Sequence, residues 1–466
     1  MDFSIFDAPA SPHTAPPRLT TAEPDADPES STRSPTAHGC TGPPDIPEPP
    51  PFKRPRAAAS VLPLARCFVQ KHCAQTCADL RANDAASVEA DLALAASFLR
   101  QDPPNHSQCR VFAERIETST WEALLTKGWP HVCWREAYVL AQLMLCCMDT
   151  EAQDEEKALQ RCDRAFILGG PCTEVCDCIA LLEPAVSPPV LNGRPTDCVR
   201  EDLPPAVTAL RPSHPIERRR MPTHLSELRA IHTRGAAVLL EGGMDGWQAP
   251  SRWKDFHWLR AAYGHRLVPV ELGRLQVGEG SGAASRGRWA ERIMHLDEFV
   301  DTFLLREHLA EGEGRHAEIG YLAQHALFEQ VLRQLQHDFS IPTICSLGKL
   351  KHVNAWLGPG GTVTPCHFDS YDNIFAQVVG YKYVRLFEVN QSDFMYGIKE
   401  AATGLEAQGN LSAVDVENPD LKAHPLFANA KYTDAILSPG DMLYVPAGVW
   451  HYVRSLTSSF SISFWF

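Results

Sequence analysis

A chain of 466 residues exceeds one ordinary domain, and with 44% apolar and 21% charged residues it has the make-up of a globular protein that can bury a core. No stretch approaches the roughly 18 apolar residues that span a bilayer, and the opening MDFSIFDAPASPHTAPPR lacks the basic start and apolar run of a secretory signal, so an intracellular protein of nucleus or cytoplasm is expected, not a membrane one. A net charge of -14 argues against a dedicated nucleic-acid binder and suits a basic protein or peptide as partner.

Residues 1–58 are rich in Pro, Ser, Thr, Ala and Asp without apolar periodicity, which predicts a disordered tail. Lys53, Arg54 and Arg56 form at most a minimal nuclear-import patch.

Residues 59–185 turn helical. ALLTKGWPHVCWREAYVLAQLMLCCM and EEKALQRCDRAFILGG carry apolar residues every three or four positions, and the second ends in glycine. The paired helices suggest a small all-α domain like a tetratricopeptide hairpin, without a repeat of fixed period, for docking or stabilisation. The odd total of 15 cysteines follows no disulfide framework, so reduced thiols are expected. Cys172, Cys176 and Cys178 lack the second short-spaced pair of a structural zinc site and read as free thiols.

The Pro-rich stretch 186–214 reads as a linker, and from Pro215 to Phe466 the texture becomes short strands between glycine, proline and polar turns. AAVLLEGG, LVPVELG, KYVRLFEV, DMLYVPAG and SFSISFWF have strand composition, and the whole predicts an α+β chain whose second domain is a mostly antiparallel β-sandwich or barrel.

Within NAWLGPGGTVTPCHFDSYDNIFAQ, His367 and Asp369 are two positions apart and leave an extended strand on one face. His451, in GDMLYVPAGVWHYVRS, lies on a later strand that a barrel can bring alongside. Two imidazoles and one carboxylate fill one face of an octahedral ion and leave positions for a bidentate co-substrate and for O2, which favours Fe(II) over a closed zinc site. H-x-D alone recurs by chance among 19 histidines and 57 acidic residues; the surrounding Pro365, Pro439, Gly440 and Pro446 turns give it its strand context.

These residues, with Asn373, Lys382 and the distal His451, resemble the Jumonji-C (JmjC) family of cupin-fold oxygenases over Pro215 to Phe466. GYLAQHALFEQ, SIPTICSLG, NAWLGPGGT and VWHYVRSLTSSFSISFWF are most similar to the JmjC domain-containing protein five group, also called lysine demethylase eight, and WEALLTKGWPHVCWREAY and CDRAFILGG resemble that group's helical domain. The resemblance implies a double-stranded β-helix, the cofactor Fe(II), the co-substrates 2-oxoglutarate and O2, and His367, Asp369 and His451 as catalytic metal ligands. It implies that Lys382 receives the distal carboxylate of 2-oxoglutarate, with Tyr321, Thr364 and Asn373 as polar contacts and Trp465 lining the cavity. In YKYVRLF, alternation sets Lys382 on one face with Val384 and Leu386, where an ammonium without an anion is costly.

For the substrate, the resemblance implies either arginine hydroxylation or histone methyl-lysine demethylation. Glu271 and Trp356 match positions that hold a cationic side chain, and Gln324 adds a polar contact. A carboxylate suits a guanidinium, which donates N–H in a fork, better than a trimethylammonium, which donates none. Arginine hydroxylation is therefore preferred, and a non-catalytic cupin-like scaffold is the rival of a different class. A monomer is expected, because the chain stops at Phe466 without further helices. Two departures, the segments 275–290 and 397–424, are expected to reshape the substrate entrance and to leave the metal ligands untouched.

Overall fold

The computed structural model describes residues 58–126, 131–170, 172–186, 207, 210–274, 290–305, 318–329, 332–398 and 409–466. All of the predicted tail but its last residue, most of the predicted linker, and residues 275–289 and 399–408 of the two insertions lie outside them.

Among the described residues six helices come first: α1 (Ala58–Ala82), α2 (Ala86–Leu99), α3 (His106–Thr126), α4 (Val132–Glu151), α5 (Glu155–Gly169) and α6 (Thr173–Val186). α4 is buried almost throughout and packs against α1, α3 and α5. The start of α5 is fixed by Asp154, whose carboxylate accepts from the Lys157 amide, and its end by Gly170 at φ 79°. Every described cysteine is a free thiol.

Thirteen strands follow among the described residues: β1 (Arg218–Arg220), β2 (Val238–Glu241), β3 (Leu267–Arg274), β4 (Ala290–His295), β5 (Glu318–His325), β6 (His352–Gly358), β7 (Val363–His367), β8 (Asn373–Val379), β9 (Lys382–Phe387), β10 (Thr433–Leu437), β11 (Met442–Val445), β12 (Trp450–Ser455) and β13 (Ser459–Trp465). They form a nine-stranded sheet in the order β1-β2-β11-β8-β13-β6-β5-β3-β4 and a four-stranded sheet in the order β10-β9-β12-β7. All pairings are antiparallel except β1 with β2. Leu239, Tyr321, Trp356, Phe375, Val384, Leu386 and Leu443, drawn from both sheets, share one buried cluster, as the inner faces of a double-stranded β-helix must. The other face of the large sheet packs on Trp253, Phe299, Phe328 and Phe339.

The second insertion does not stay clear of His367. β7 is the edge of the small sheet, and an edge strand leaves a row of backbone groups to be paired. Leu411 bridges to His367, the Phe368 amide donates to Asn410 O at 2.9 Å, and the Ser412 amide donates to Cys366 O at 2.8 Å. The segment thus supplies β7 with the neighbour it lacks. Among the described residues no helix is long and apolar enough to cross a membrane.

Candidate metal centre and co-substrate cavity

β7 and β12 are antiparallel neighbours, and their register sets His367 directly opposite His451. The two rings lie 4.1 Å apart between centroids. Asp369, just beyond β7, reaches both: Oδ1 is 3.7 Å from His367 Nε2 and Oδ2 is 3.6 Å from His451 Nε2. Its loop is pinned by the Gly448 amide, which donates to Asp369 O at 2.8 Å. Asp372, three residues on, accepts from Tyr444 Oη at 2.9 Å and from the Ala447 amide at 3.2 Å.

The backbone also sets the tautomers. His367 Nδ1 lies 2.8 Å from Pro365 O, and His451 Nδ1 lies 3.0 Å from Val449 O. A carbonyl only accepts, so each Nδ1 carries the proton and each Nε2 presents a lone pair to the space beside Asp369. Among the described residues this is the one group of three or more His, Cys, Asp or Glu side chains with ligand atoms within 4.8 Å of one another. Two neutral imidazoles and a carboxylate, with no fourth protein ligand, fit a divalent iron with open positions.

The three ligands stand in the wall of a cavity with about 490 Å³ of empty space, partly open to solvent. At its apolar side is Lys382, 1% exposed. Its Nζ donates to Tyr321 Oη at 3.3 Å and lies 5.5 and 5.4 Å from the ring centres of Tyr321 and Phe375. Among the described residues no carboxylate forms an ion pair with it, and burial pushes its pKa down to about 7. Burial also holds the Tyr321 hydroxyl well above its ordinary value, opposed by a hydrogen bond with Thr364 and assisted by the charge of Glu271. Asn373 lines the same cavity with a buried Oδ1 that lacks a hydrogen-bond partner.

Tyr321, Thr364, Asn373, Lys382 and Trp356 therefore all line the cavity that the metal ligands line. Trp356 donates from Nε1 to Ser463 Oγ at 2.8 Å, which leaves the ring as its contribution to the wall. Glu271 sits on β3 directly across from Tyr321, and Gln324 occupies a left-handed conformation, φ 48°, where β5 bulges against β6. Glu271, Gln324 and Trp465 are not among the lining residues; Trp465 ends β13 opposite Asn373, with its ring stacked on Tyr371 at 6.0 Å and its buried Nε1 without a partner. Ser463 and Phe375 are lining residues that sequence reasoning missed. Each is two positions from a residue it did name, so strand alternation held the signal.

Residues 225–466 match the cupin-like domain family. The chain is 30% identical to JmjC domain-containing protein F of Dictyostelium discoideum over 85% of its own length and 96% of that protein. It is 32% identical to lysine-specific demethylase 8 of Danio rerio over 78% of its own length and 89% of that protein. With Jumonji C domain-containing protein 5 of Drosophila melanogaster it shares 35% identity over 50% of its length and 54% of that protein. The chain is accordingly a JmjC-family, 2-oxoglutarate-dependent oxygenase of the group that includes lysine-specific demethylase 8 and JmjC domain-containing protein 5.

Proposed function

We propose that this protein uses Fe(II), 2-oxoglutarate and O2 to hydroxylate an arginine side chain of a protein substrate. His367, Asp369 and His451 would hold the iron, and Lys382 would receive the distal carboxylate of the co-substrate. The observation that carries this reading is Lys382: an ammonium buried in an apolar wall, with no carboxylate paired to it among the described residues, in the cavity that the ligand trio lines. Such a charge is stable only with an anion beside it.

When bound, iron and 2-oxoglutarate supply an oxidant for C–H bonds, with succinate and carbon dioxide as by-products. The chain's own residues bind, orient and exclude water. Tyr321 and Thr364 extend the polar end around Lys382, and Asn373 offers a further polar contact. Val384, Leu386, Leu443, Val445 and Val453 keep the rest of the wall apolar. Glu271, opposite Tyr321 on the paired strand β3, and Gln324, on Tyr321's own strand, would receive a guanidinium, with Trp356 offering a ring face.

The net charge of -14 suits a basic protein as substrate. The free thiols suit a reducing compartment, and we place the activity inside the cell, in nucleus or cytoplasm. Methyl-lysine demethylation is the second reading, favoured by the names of relatives such as lysine-specific demethylase 8. Mass spectrometry of arginine and methyl-lysine peptides after incubation with protein, Fe(II), 2-oxoglutarate and O2 separates the two. Gain of one oxygen on arginine is expected; loss of a methyl group selects demethylation, and absence of succinate in every condition removes both.

A further inference from the structure

The strand that carries Glu271 is anchored at its other end by the helices. Arg266, the residue before β3, is fully buried. Its Nε and Nη2 donate to the two carboxylate oxygens of Asp163, on α5, at 3.0 and 2.7 Å, and its Nη1 donates to Glu183, on α6, at 3.2 Å. Asp163, also fully buried, accepts from the Leu267 amide at 3.1 Å as well. Backbone and side chain at the root of β3 are thus held by one carboxylate.

A second grip lies on β5. Phe166, one helical turn after Asp163, meets the ring of His325 edge-on at 6.1 Å, and His325 directly follows Gln324 in the bulge. Gln160, also on α5, donates to His265 O at 3.4 Å. β3, which bears Glu271, is therefore held by α5 and α6, and β5, which bears Gln324, by α5. The metal-ligand strands β7 and β12, in the other sheet, are not among the elements these grips reach.

A buried ion pair of this kind contributes little net stability relative to apolar residues of similar size, because desolvation offsets the attraction. What it does supply is direction: a bidentate guanidinium–carboxylate pair tolerates little rotation or slippage. We propose that Asp163 and Arg266, with Glu183, are positioning residues that set the register of β3 and thereby the placement of Glu271 against Tyr321. The helical layer is then part of substrate recognition and not only a docking module. This rests on the reading of Glu271 as the substrate carboxylate.

The test uses the full chain and the variants Asp163→Asn, Glu271→Gln and their double. Hydrogen exchange of the Leu267, Val268, Val270, Glu271 and Leu272 amides is expected to accelerate at least about tenfold in Asp163→Asn, with β8 and β12 unchanged. The dissociation constant of an arginine peptide, measured without oxygen, is expected to rise about tenfold, and the double variant to bind no more weakly than Glu271→Gln alone. Additive losses, unchanged exchange in β3, or a uniform rise across both sheets would overturn the proposal.

Should Asp163→Asn fold poorly, the Asp163→Leu/Glu183→Gln/Arg266→Met variant removes all three charges of the cluster and nearly keeps the volume. Its thermal stability is expected to recover while peptide binding stays weak; recovery of both would show a role in stability alone. The exchange measurement needs no substrate, so a wild-type protein that binds no arginine peptide rejects the substrate reading while the clamp on β3 is still decided.

Discussion

His367 and His451 face each other across the β7–β12 ladder, and each is held by the carbonyl two residues before it, Pro365 O and Val449 O. The same local arrangement on two antiparallel strands converges two Nε2 lone pairs on one point beside Asp369. A metal is expected there because three ligand atoms are preorganised before it arrives.

Removing any one of the three should therefore abolish loading. Loss of outer-shell partners alone weakens metal sites by about 10–100-fold, so His367→Ala, Asp369→Ala or His451→Ala is expected to cost more than ~100-fold in iron affinity. Bound iron by elemental analysis, with succinate formation, checks this. Full iron occupancy in Asp369→Ala would place the metal elsewhere.

Lys382→Met should act in opposite directions on stability and on co-substrate binding. It removes a buried ammonium that has no carboxylate partner among the described residues and keeps an apolar stem, so the ligand-free protein should melt at a higher temperature. An anion left without its cation costs about 3–5 kcal/mol, so the KM for 2-oxoglutarate should rise by roughly 10² to 4 × 10³-fold. Thermal melts and a 2-oxoglutarate titration read the two effects, and an unchanged KM would assign the distal carboxylate to another residue.

The same lysine predicts a pH signature. Burial lowers its pKa from 10.5 to about 7, so between those values the unfolded chain binds a proton that the ligand-free native protein has released. Native stability then rises with pH through that window, and the destabilising buried charge is fully present below it. An anionic co-substrate needs the charged form. Binding well above pH 7 should take up about one proton and weaken by about tenfold per pH unit. Calorimetry in buffers of different ionisation enthalpy checks this; no proton uptake at alkaline pH would mean that Lys382 stays charged unaided.

Glu271→Gln should erase the preference for arginine over lysine in the substrate peptide. Loss of one partner of a desolvated charge pair costs about 2–5 kcal/mol, so peptide KM should rise by at least about 30-fold at the low end of that range. Steady-state kinetics with an arginine peptide and its lysine counterpart measure it. Equal KM values for wild type and Glu271→Gln would move the guanidinium contact to Gln324 or beyond.

Much of the site was legible because strand chemistry is local. The two-residue spacing of His367 and Asp369 and the alternation of Lys382, Val384 and Leu386 follow from the pleat of an extended chain, and all five residues line the cavity. Ser463 and Phe375 follow the same rule, although neither residue type announces chemistry. Trp465 shows the limit of alternation: it shares a strand face with Ser463 but ends β13 beyond the cavity lining.

The amino-acid sequence by itself determined the element types, the His367, Asp369 and His451 trio and the cation of the cavity, since each is a matter of residue chemistry and short-range periodicity. Only the tertiary structure decided which strands meet. The His367–His451 register, the pairing of β7 with residues 410–412 and the grip of Asp163 on Arg266 join positions 40 to more than 100 residues apart. Contacts at that separation depend on sheet order and on the need of edge strands and buried charges for partners, and no local pattern in the chain encodes them.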